Sequence, residues 1–267
     1  MNVSRMLAIT RTDLLKLRKS RDFWIPMVIM AALFFVVLPT VLLYSVTIVE
    51  RFQTVRQIGE TLAPLQQATN ATAGKPVGYN LAVYLFAPLA VVVPMTICSA
   101  IGANTLVGER ERGTGEFLAH SPASEREIYL GKIIASLLPG YAATLVGFGI
   151  YSLVVNVIVG PDVGGWFFPT GDWWILMFWV VPPFLALGLS VILRVSGRVR
   201  SAAAAQQASG LVTLPLILLT YAQSSGSATG GSRPALAIGA LAWLLAGIGL
   251  WRGARAVSRP RLMGIDG

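Results

Sequence analysis

The sequence predicts an all-α integral membrane protein with six transmembrane helices. Only 12% of its 267 residues are charged and 55% are hydrophobic, whereas a soluble domain carries about 25% charged residues. Six long apolar runs contain no Asp, Glu, Lys, Arg or His, and each is close to the roughly 20 residues that one bilayer crossing needs. Within a single transmembrane domain, 1–267, we predict spans at residues 23–49, 81–107, 133–159, 173–193, 203–222 and 235–251.

The segment before the first span, residues 1–22, is predicted to form a basic amphipathic helix in the membrane interface. Apolar residues recur there at helical spacing, and the basic residues fall mainly on other faces. A charged tail that only fixes the topology is the alternative. The segment is too charged, and the run 23–49 too long, for a cleaved signal peptide, so the first span is expected to be an uncleaved targeting signal. The apolar set is Val3, Met6, Leu7, Leu14 and Leu17.

The distribution of positive charge predicts the orientation. With six crossings and a cytoplasmic N-terminus, the segments 1–22, 108–132, 194–202 and 252–267 lie inside. They hold six, four, three and four Lys or Arg residues, 17 of the 21 in the chain. Cytoplasmic loops retain Lys and Arg during insertion, so both termini are predicted to be cytoplasmic. The net charge of +9 then needs no nucleic acid, and the Ala-, Gly- and Arg-rich composition favours a bacterial inner (plasma) membrane.

The three predicted outer segments differ in character. Residues 50–80 form an outer loop whose weak amphipathic pattern predicts a short surface helix. Residues 160–172 are rich in Gly and Pro, which indicates a turn-rich loop. Residues 223–234 are predicted to be a flexible polar loop. The aromatic anchors expected at the interface near the second of these loops are Trp166, Trp173 and Trp174.

The apolar spans argue against several kinds of chemistry. Carriers driven by protons or sodium usually keep buried ionisable groups along their pathway, and the six runs contain none. The sequence has no G-x-x-x-x-G-K-[ST] motif, so ATP is expected to bind to a separate subunit. An intramembrane enzyme would need a catalytic set in the spans, so the chain is not expected to be an enzyme. Cys98 is interpreted as a buried small hydrophobic residue, and Asn104 and Asn156 as helix–helix hydrogen-bonding groups.

The first inner segment, residues 108–132, carries the densest polar sequence. A Ser-Pro pair interrupts a first short helix. Ser124 and Glu127 then form a capping box, which predicts that the next helix begins around Glu125. A short rigid helix between two spans could fit a groove on a partner and transmit its movement. An ordinary solvated loop of mixed charge is the alternative.

One run in this segment follows an ordered pattern. It reads Glu109-Arg110-Glu111-Arg112-Gly113-Thr114-Gly115-Glu116-Phe117-Leu118, then Ser121-Pro122-Ala123-Ser124, Glu127-Ile128 and Gly131-Lys132. The pattern E-[KR]-E-x-G-T-x-E-x-L, followed by a small residue with Pro, a Ser or Thr, an acidic residue with Ile, and G-K, resembles the inner loop of the type-2 ATP-binding-cassette (ABC) exporter permeases. The amphipathic first helix and the six spans extend the resemblance over nearly the whole chain.

The resemblance implies the permease subunit of an ATP-driven ABC exporter, which forms the substrate pathway for efflux. Such permeases work as two copies with two cytoplasmic ATPase subunits, so the implied partners are the ATPase, a second copy of the chain in a homodimer, and membrane lipid. ATP and Mg²⁺ would bind to the ATPase. The inner loop would be the coupling helix that docks on that subunit, and the N-terminal helix would also contact it. The docking residues that the resemblance implies are Glu109, Glu111, Glu116, Phe117, Leu118, His120, Ser121 and Pro122.

The fifth span has a face of small residues, which permits close helix approach. This face is a possible pathway or dimer interface; packing within the chain is the alternative. His120 has no His or Cys neighbour and is interpreted as a docking or solvated residue, not a metal ligand. A membrane scaffold or anchor that uses an ATPase partner without transport is the alternative function, and the uncharged pathway favours an amphiphile, drug or lipid-linked substrate. The small residues are 202–205, Ser209 and Gly210, and Gln206 and Gln207 could contact a partner or substrate. The candidate pathway or dimer-interface residues, called the fifth-span face below, are Gln206, Gln207, Ser209 and Gly210.

Overall fold

The computed structural model describes residues 2–51, 76–86, 89–111, 121–195, 207 and 232–256. Its regular elements are helices joined by short turns, and three of the helices pass through a π-helical turn. The elements are α1 (Val3–Lys19), α2 (Arg21–Ala32), π1 (Leu33–Val37), α3 (Leu38–Arg51), α4 (Val77–Asn80), π2 (Leu81–Leu85), α5 (Leu89–Glu111), α6 (Glu125–Ile158), α7 (Gly160–Val163), α8 (Gly171–Ile175), π3 (Leu176–Val180), α9 (Val181–Val195) and α10 (Ser232–Ala256).

Four helices in the described part of the chain are long and apolar enough to cross a membrane. They correspond to the predicted first, third, fourth and sixth spans. The predicted second span coincides with α4, π2 and α5, and α5 contains a shorter apolar stretch, Val92–Ala103. The predicted fifth span, 203–222, lies outside the described residues except for Gln207, so the count of six spans stays a prediction. The four are Met27–Ile48, Glu125–Ile158, Gly171–Leu193 and Ala235–Arg255.

The start of α6 confirms the predicted capping box. The Glu127 N–H donates to Ser124 Oγ at 3.4 Å, and the Ser124 N–H donates to Glu127 Oε2 at 2.9 Å. The helix therefore begins at Glu125, well before the apolar run 133–159. Its 34 residues span roughly 50 Å, longer than the roughly 30 Å hydrocarbon core of a bilayer. The first turns of α6 are thus available for contacts beyond the apolar core.

The longest helix, α6, lies at the centre of the bundle, where it packs against α1, α3, α5, α9 and α10. It approaches α5 closely at Gly140, where a Cβ would overlap Cys98 Sγ. Small residues permit such close contact between spanning helices. Cys98 is buried, as predicted for a small hydrophobic residue. Large apolar side chains are exposed on the outside of the described spans, among them Val41, Val146 and Leu244, as expected for helices that face lipid.

Asn156 was predicted to join two spanning helices, but its hydrogen bonds instead fix the loop between α7 and α8. Its Oδ1 accepts the N–H groups of Phe167 at 2.9 Å and Phe168 at 3.0 Å. Its Nδ2 donates to the Phe168 carbonyl at 2.6 Å and to Ser152 O at 2.8 Å. One buried side chain therefore pairs the N–H groups of Phe167 and Phe168, while the Phe168 carbonyl also accepts the Ser152 hydroxyl at 3.2 Å.

The prediction that Trp173 is an interfacial anchor is wrong. This side chain is buried, its Nε1 donates to the Val83 carbonyl at 2.8 Å, and its ring stacks on Phe148 and Tyr151. By contrast, Trp166 is exposed, as an anchor should be. The aromatic cluster of Trp173, Phe148 and Tyr151 therefore belongs to the buried core of the bundle.

Replacing Asn156 with leucine is expected to lower the apparent Tm of the purified chain by roughly 5–10 °C, because each buried backbone group left unpaired costs about 1–3 kcal/mol. Ser190→Ala is the matched control, since the buried Ser190 hydroxyl bonds only the carbonyl of Ala186 in its own helix. Thermal unfolding in mild detergent measures both variants. An equal Tm for the two would show that the loop does not depend on Asn156.

Candidate partner-docking site

At one end of the bundle, helix ends that carry Lys or Arg residues lie close together. We call this end the basic end and define it as residues 2–19, 121–132 and 250–255. There the first turns of α6 meet α1 on one side and the last turns of α10 on the other. At the second contact a Cβ on Gly253 would overlap the Tyr129 hydroxyl, so the Tyr129 side chain of α6 packs directly against the backbone of α10.

The helix α1 lies directly on the first turns of α6. The Asn2 N–H donates to Glu127 Oε1, and the Thr10 hydroxyl donates to the Gly131 carbonyl at 3.1 Å. Gly131 makes this approach possible, because a Cβ there would lie only 3.2 Å from Ile9 Cγ2. The contacts run from Asn2 to Thr10 on one side and from Glu127 to Gly131 on the other, and they fix α1 to the segment that follows the inner loop.

A buried ion pair stands in the same interface. Lys132 Nζ lies 3.5 Å from Asp13 Oδ2, and the two side chains are 1% and 7% exposed. From its sequence position, Lys132 was predicted to be a basic residue of the inner segment, and Asp13 was not among the predicted functional residues. A signal was present, since Asp13 follows Thr10 by three residues and precedes Leu17 by four, so the three share one face of α1. All three are buried.

The amphipathic character of α1 is divided between two surfaces. Leu17 is buried in the bundle, whereas Val3 and Leu7 are exposed. Arg11 and Arg18 are also exposed. Their helical spacing from Leu7 places them on the same side of α1. A helix is present within the predicted segment 1–22, and Asn2 caps it by accepting the Ser4 N–H at 3.1 Å. The exposed side of α1 suits a membrane interface, which stays a prediction.

The predicted docking residues are only partly within the described chain. The backbones of Glu109 and Glu111 form the end of α5, and Ser121 and Pro122 lie just before α6. The exposed Pro122 offers its carbonyl to Arg5 Nη1 at 2.8 Å, so α1 reaches the end of the loop. Of the fifth-span face, Gln207 is exposed. The predicted residues outside the described ranges are Glu116, Phe117, Leu118, His120, Gln206, Ser209 and Gly210.

The polar contacts at the basic end hold separate segments of the chain together. They join α1 to α6 and to the segment before it, which gives the loop a rigid base. Across the described ranges, the structure has no group of three or more His, Cys, Asp or Glu side chains that could hold a metal ion.

Comparison with known families agrees with this architecture. The family model described as ABC-2 family transporter protein matches residues 7–249, which includes α1, the inner loop and the spans up to α10. A search of curated proteins found no match. Permeases of the matched family are membrane components that normally work with ABC ATPase partners. The resemblance seen in the inner loop is thus confirmed: the chain belongs to the ABC-2 transporter family and is a multi-pass membrane permease component of an ABC transporter.

Proposed function

We propose that the chain is the permease subunit of an ATP-driven exporter and couples through its inner loop to a separate cytoplasmic ATPase. The observation that carries the proposal is the attachment of α1 to the start of α6, immediately after that loop. ATP and Mg²⁺ bind to the ATPase, and the permease supplies the substrate pathway. The membership of the ABC-2 family supports this division of roles.

The proposed coupling uses both ends of the loop. The loop leaves α5 at Glu111 and enters α6 at Glu125, and these two helices pack closely along their length, with Gly140 against Cys98. A displacement of the loop therefore acts on two packed helices at once. Because α6 also contacts α3, α9 and α10, the movement is passed to most of the described bundle.

The orientation follows from charge. The basic end faces the cytoplasm in this proposal, since Lys and Arg are retained on that side during insertion. Both termini are then cytoplasmic, in a bacterial inner membrane. Two copies of the chain form the pathway, with the fifth-span face at Gln206, Gln207, Ser209 and Gly210 as the contact or lining surface. The absence of ionisable residues from the six runs supports an amphiphilic substrate that enters from the cytoplasm or inner leaflet.

Docking is tested by changes in the loop. Phe117→Asp and Glu116→Ala are expected to leave membrane insertion intact and to weaken ATPase association by about tenfold or more, the effect of losing an interface hot spot. Association is measured by co-purification in mild detergent with mass spectrometry of the eluted subunits. Trp166→Asp is the matched control, because Trp166 is exposed in the loop between α7 and α8, away from the basic end.

The outcomes separate transport from anchoring. Unchanged ATPase association in both loop variants would remove the docking assignment. A stoichiometric ATPase in the wild-type preparation, together with ATP-dependent movement of a fluorescent amphiphile in inverted vesicles, would support the exporter. An ATPase that co-purifies but drives no movement of any amphiphile tested would favour a membrane scaffold or anchor.

A further inference from the structure

A groove opens at the basic end between the first turns of α6 and the last turns of α10. It consists of two adjoining cavities, of about 210 Å³ and about 470 Å³, which share Arg126, Ala254 and Arg255. Its surfaces differ in chemistry, being apolar towards the bundle and polar towards the helix ends. Leu130, Leu250 and Trp251 complete the smaller cavity, and Ser124 and Glu125 complete the larger one.

Two guanidinium groups give the groove its charge. Arg126 and Arg255 are both exposed, and in the described part of the chain neither forms an ion pair with a carboxylate. Arg255 is held by stacking, with its Cζ 3.7 Å from the centre of the Trp251 ring, which leaves its N–H groups available as donors. With one carboxylate, Glu125, among the lining residues, the groove carries a net charge of about +1 from these three side chains. This matches a ligand with a single negative charge.

The groove lies where a spanning helix meets the headgroup layer. Arg255 ends the apolar span Ala235–Arg255, and Arg126 lies in the first turn of the span Glu125–Ile158. Trp251 is 56% exposed, which suits the interfacial belt where tryptophan is enriched. Leu130 and Leu250 each lie about one helical turn further into the bundle than Arg126 or Arg255, the arginine of the same helix. A lipid whose phosphate lies at the two arginines could therefore place its acyl chain along the two leucines.

We propose that this groove binds one anionic glycerophospholipid, with its phosphate between Arg126 and Arg255 and an acyl chain against Leu130, Leu250 and Trp251. Guanidinium groups bind phosphate through paired charge-assisted hydrogen bonds, and basic pockets between spanning helices are known to take anionic lipid headgroups. The bound lipid bridges α6 and α10 beside the attachment of α1. The proposal depends on the membrane location and not on ATPase docking, so either can fail without the other.

The test is lipid binding to the purified, delipidated full-length chain by native mass spectrometry. Phosphatidylglycerol and phosphatidylcholine with identical acyl chains are titrated separately. The wild-type chain is expected to retain one phosphatidylglycerol at least about tenfold more tightly than phosphatidylcholine, since loss of charge-assisted hydrogen bonds has an effect of this order. Inorganic phosphate in millimolar excess is expected not to displace the lipid, because it has no acyl chain to occupy the apolar cavity.

Two different variants test the two parts of the groove. Arg126→Gln/Arg255→Gln removes the charge, and Ala254→Phe fills the space while keeping both arginines. Each is expected to reduce phosphatidylglycerol affinity about tenfold or more. Lys19→Gln/Arg21→Gln removes two exposed positive charges outside the groove and is expected to bind the lipid as the wild type does.

The results decide the proposal in either direction. Reduced phosphatidylglycerol affinity in both groove variants, with the control pair unchanged, supports a specific lipid site. Wild-type affinity in either groove variant, equal affinity for the two lipids, or an equal loss in the control pair would overturn it. Displacement of the lipid by inorganic phosphate would also overturn it, since the ligand would then be a free anion.

Discussion

Replacing Lys132 with methionine is expected to lower the free energy of unfolding by about 3–5 kcal/mol, the usual cost of removing one partner of a buried ion pair. Methionine retains much of the side-chain volume but removes the positive charge that lies 3.5 Å from Asp13 Oδ2. The Asp13 carboxylate stays buried without this counter-ion. For a chain of this size the change corresponds to a fall in apparent Tm of roughly 10 °C, measured by thermal unfolding in mild detergent.

A double-mutant cycle separates the ion pair from the loss of packing. In Asp13→Leu/Lys132→Met both charges are gone, so the double variant is expected to be clearly more stable than the sum of the two single effects predicts. Lys19→Met is the matched control, because Lys19 is exposed near the end of α1, and its effect is expected to stay within about 0.5 kcal/mol. Additive effects in the cycle would mean that Asp13 and Lys132 do not stabilise each other.

The position of this pair connects stability with the proposed coupling. Lys132 is the last residue of the inner segment 108–132 and lies in the second turn of α6, while Asp13 lies in the middle of α1. With Thr10 bound to the Gly131 carbonyl, the pair makes α1 and the start of α6 one rigid unit. A partner that moved the loop would therefore move α1 with it.

Replacing Gly140 with alanine is expected to destabilise the contact between α5 and α6 by about 1–3 kcal/mol, the typical cost of overpacking a core. The added Cβ would overlap Cys98 Sγ, and Cys98 Cα would lie 3.4 Å from it. The sulfur belongs to a buried side chain, so it has little room to move aside. The expected result is a lower apparent Tm, measured under the conditions used for Lys132→Met.

Two further variants make this prediction specific. Cys98→Ala removes the sulfur and keeps a Cβ that would lie 3.4 Å from the new methyl group, an ordinary contact, so Gly140→Ala/Cys98→Ala is expected to recover most of the lost stability. Gly149→Ala is the control on the same helix, because a Cβ there meets nothing within 4 Å and alanine has the higher helix propensity. Equal destabilisation at positions 140 and 149, or no recovery in the double variant, would contradict the packing explanation.

Local chemistry was enough to predict much of the fold. The Ser124–Glu127 capping box set the start of α6 because both of its hydrogen bonds join residues three positions apart. The helix α1 followed from its apolar spacing, and four long apolar runs reappear as candidate spans. In each case the signal is contained in a short segment, where burial of an apolar face or capping of a helix end does not depend on distant residues.

The candidate site was only partly predictable, because its contacts join residues that are far apart in the sequence. The inner-loop motif predicted where a partner would dock, but it did not show that α1 would form the base of that loop. The polar face of α1 that carries Thr10 and Asp13 becomes favourable only when Gly131 and Lys132, more than a hundred positions away in sequence, are brought against it. An isolated α1 would instead be expected to bury its leucines.

The sequence by itself therefore determined a helical membrane protein, the start of α6, and the family to which its inner loop belongs. Only the tertiary structure decided which polar residues are buried and what they bind: Lys132 with Asp13, Trp173 with the Val83 carbonyl, and Asn156 with the loop at Phe168. Hydrophobic burial is roughly proportional to area and has no direction, so it can be estimated from composition and spacing. Hydrogen bonds and ion pairs need a partner at a defined distance and angle, and that partner is fixed only when the helices pack.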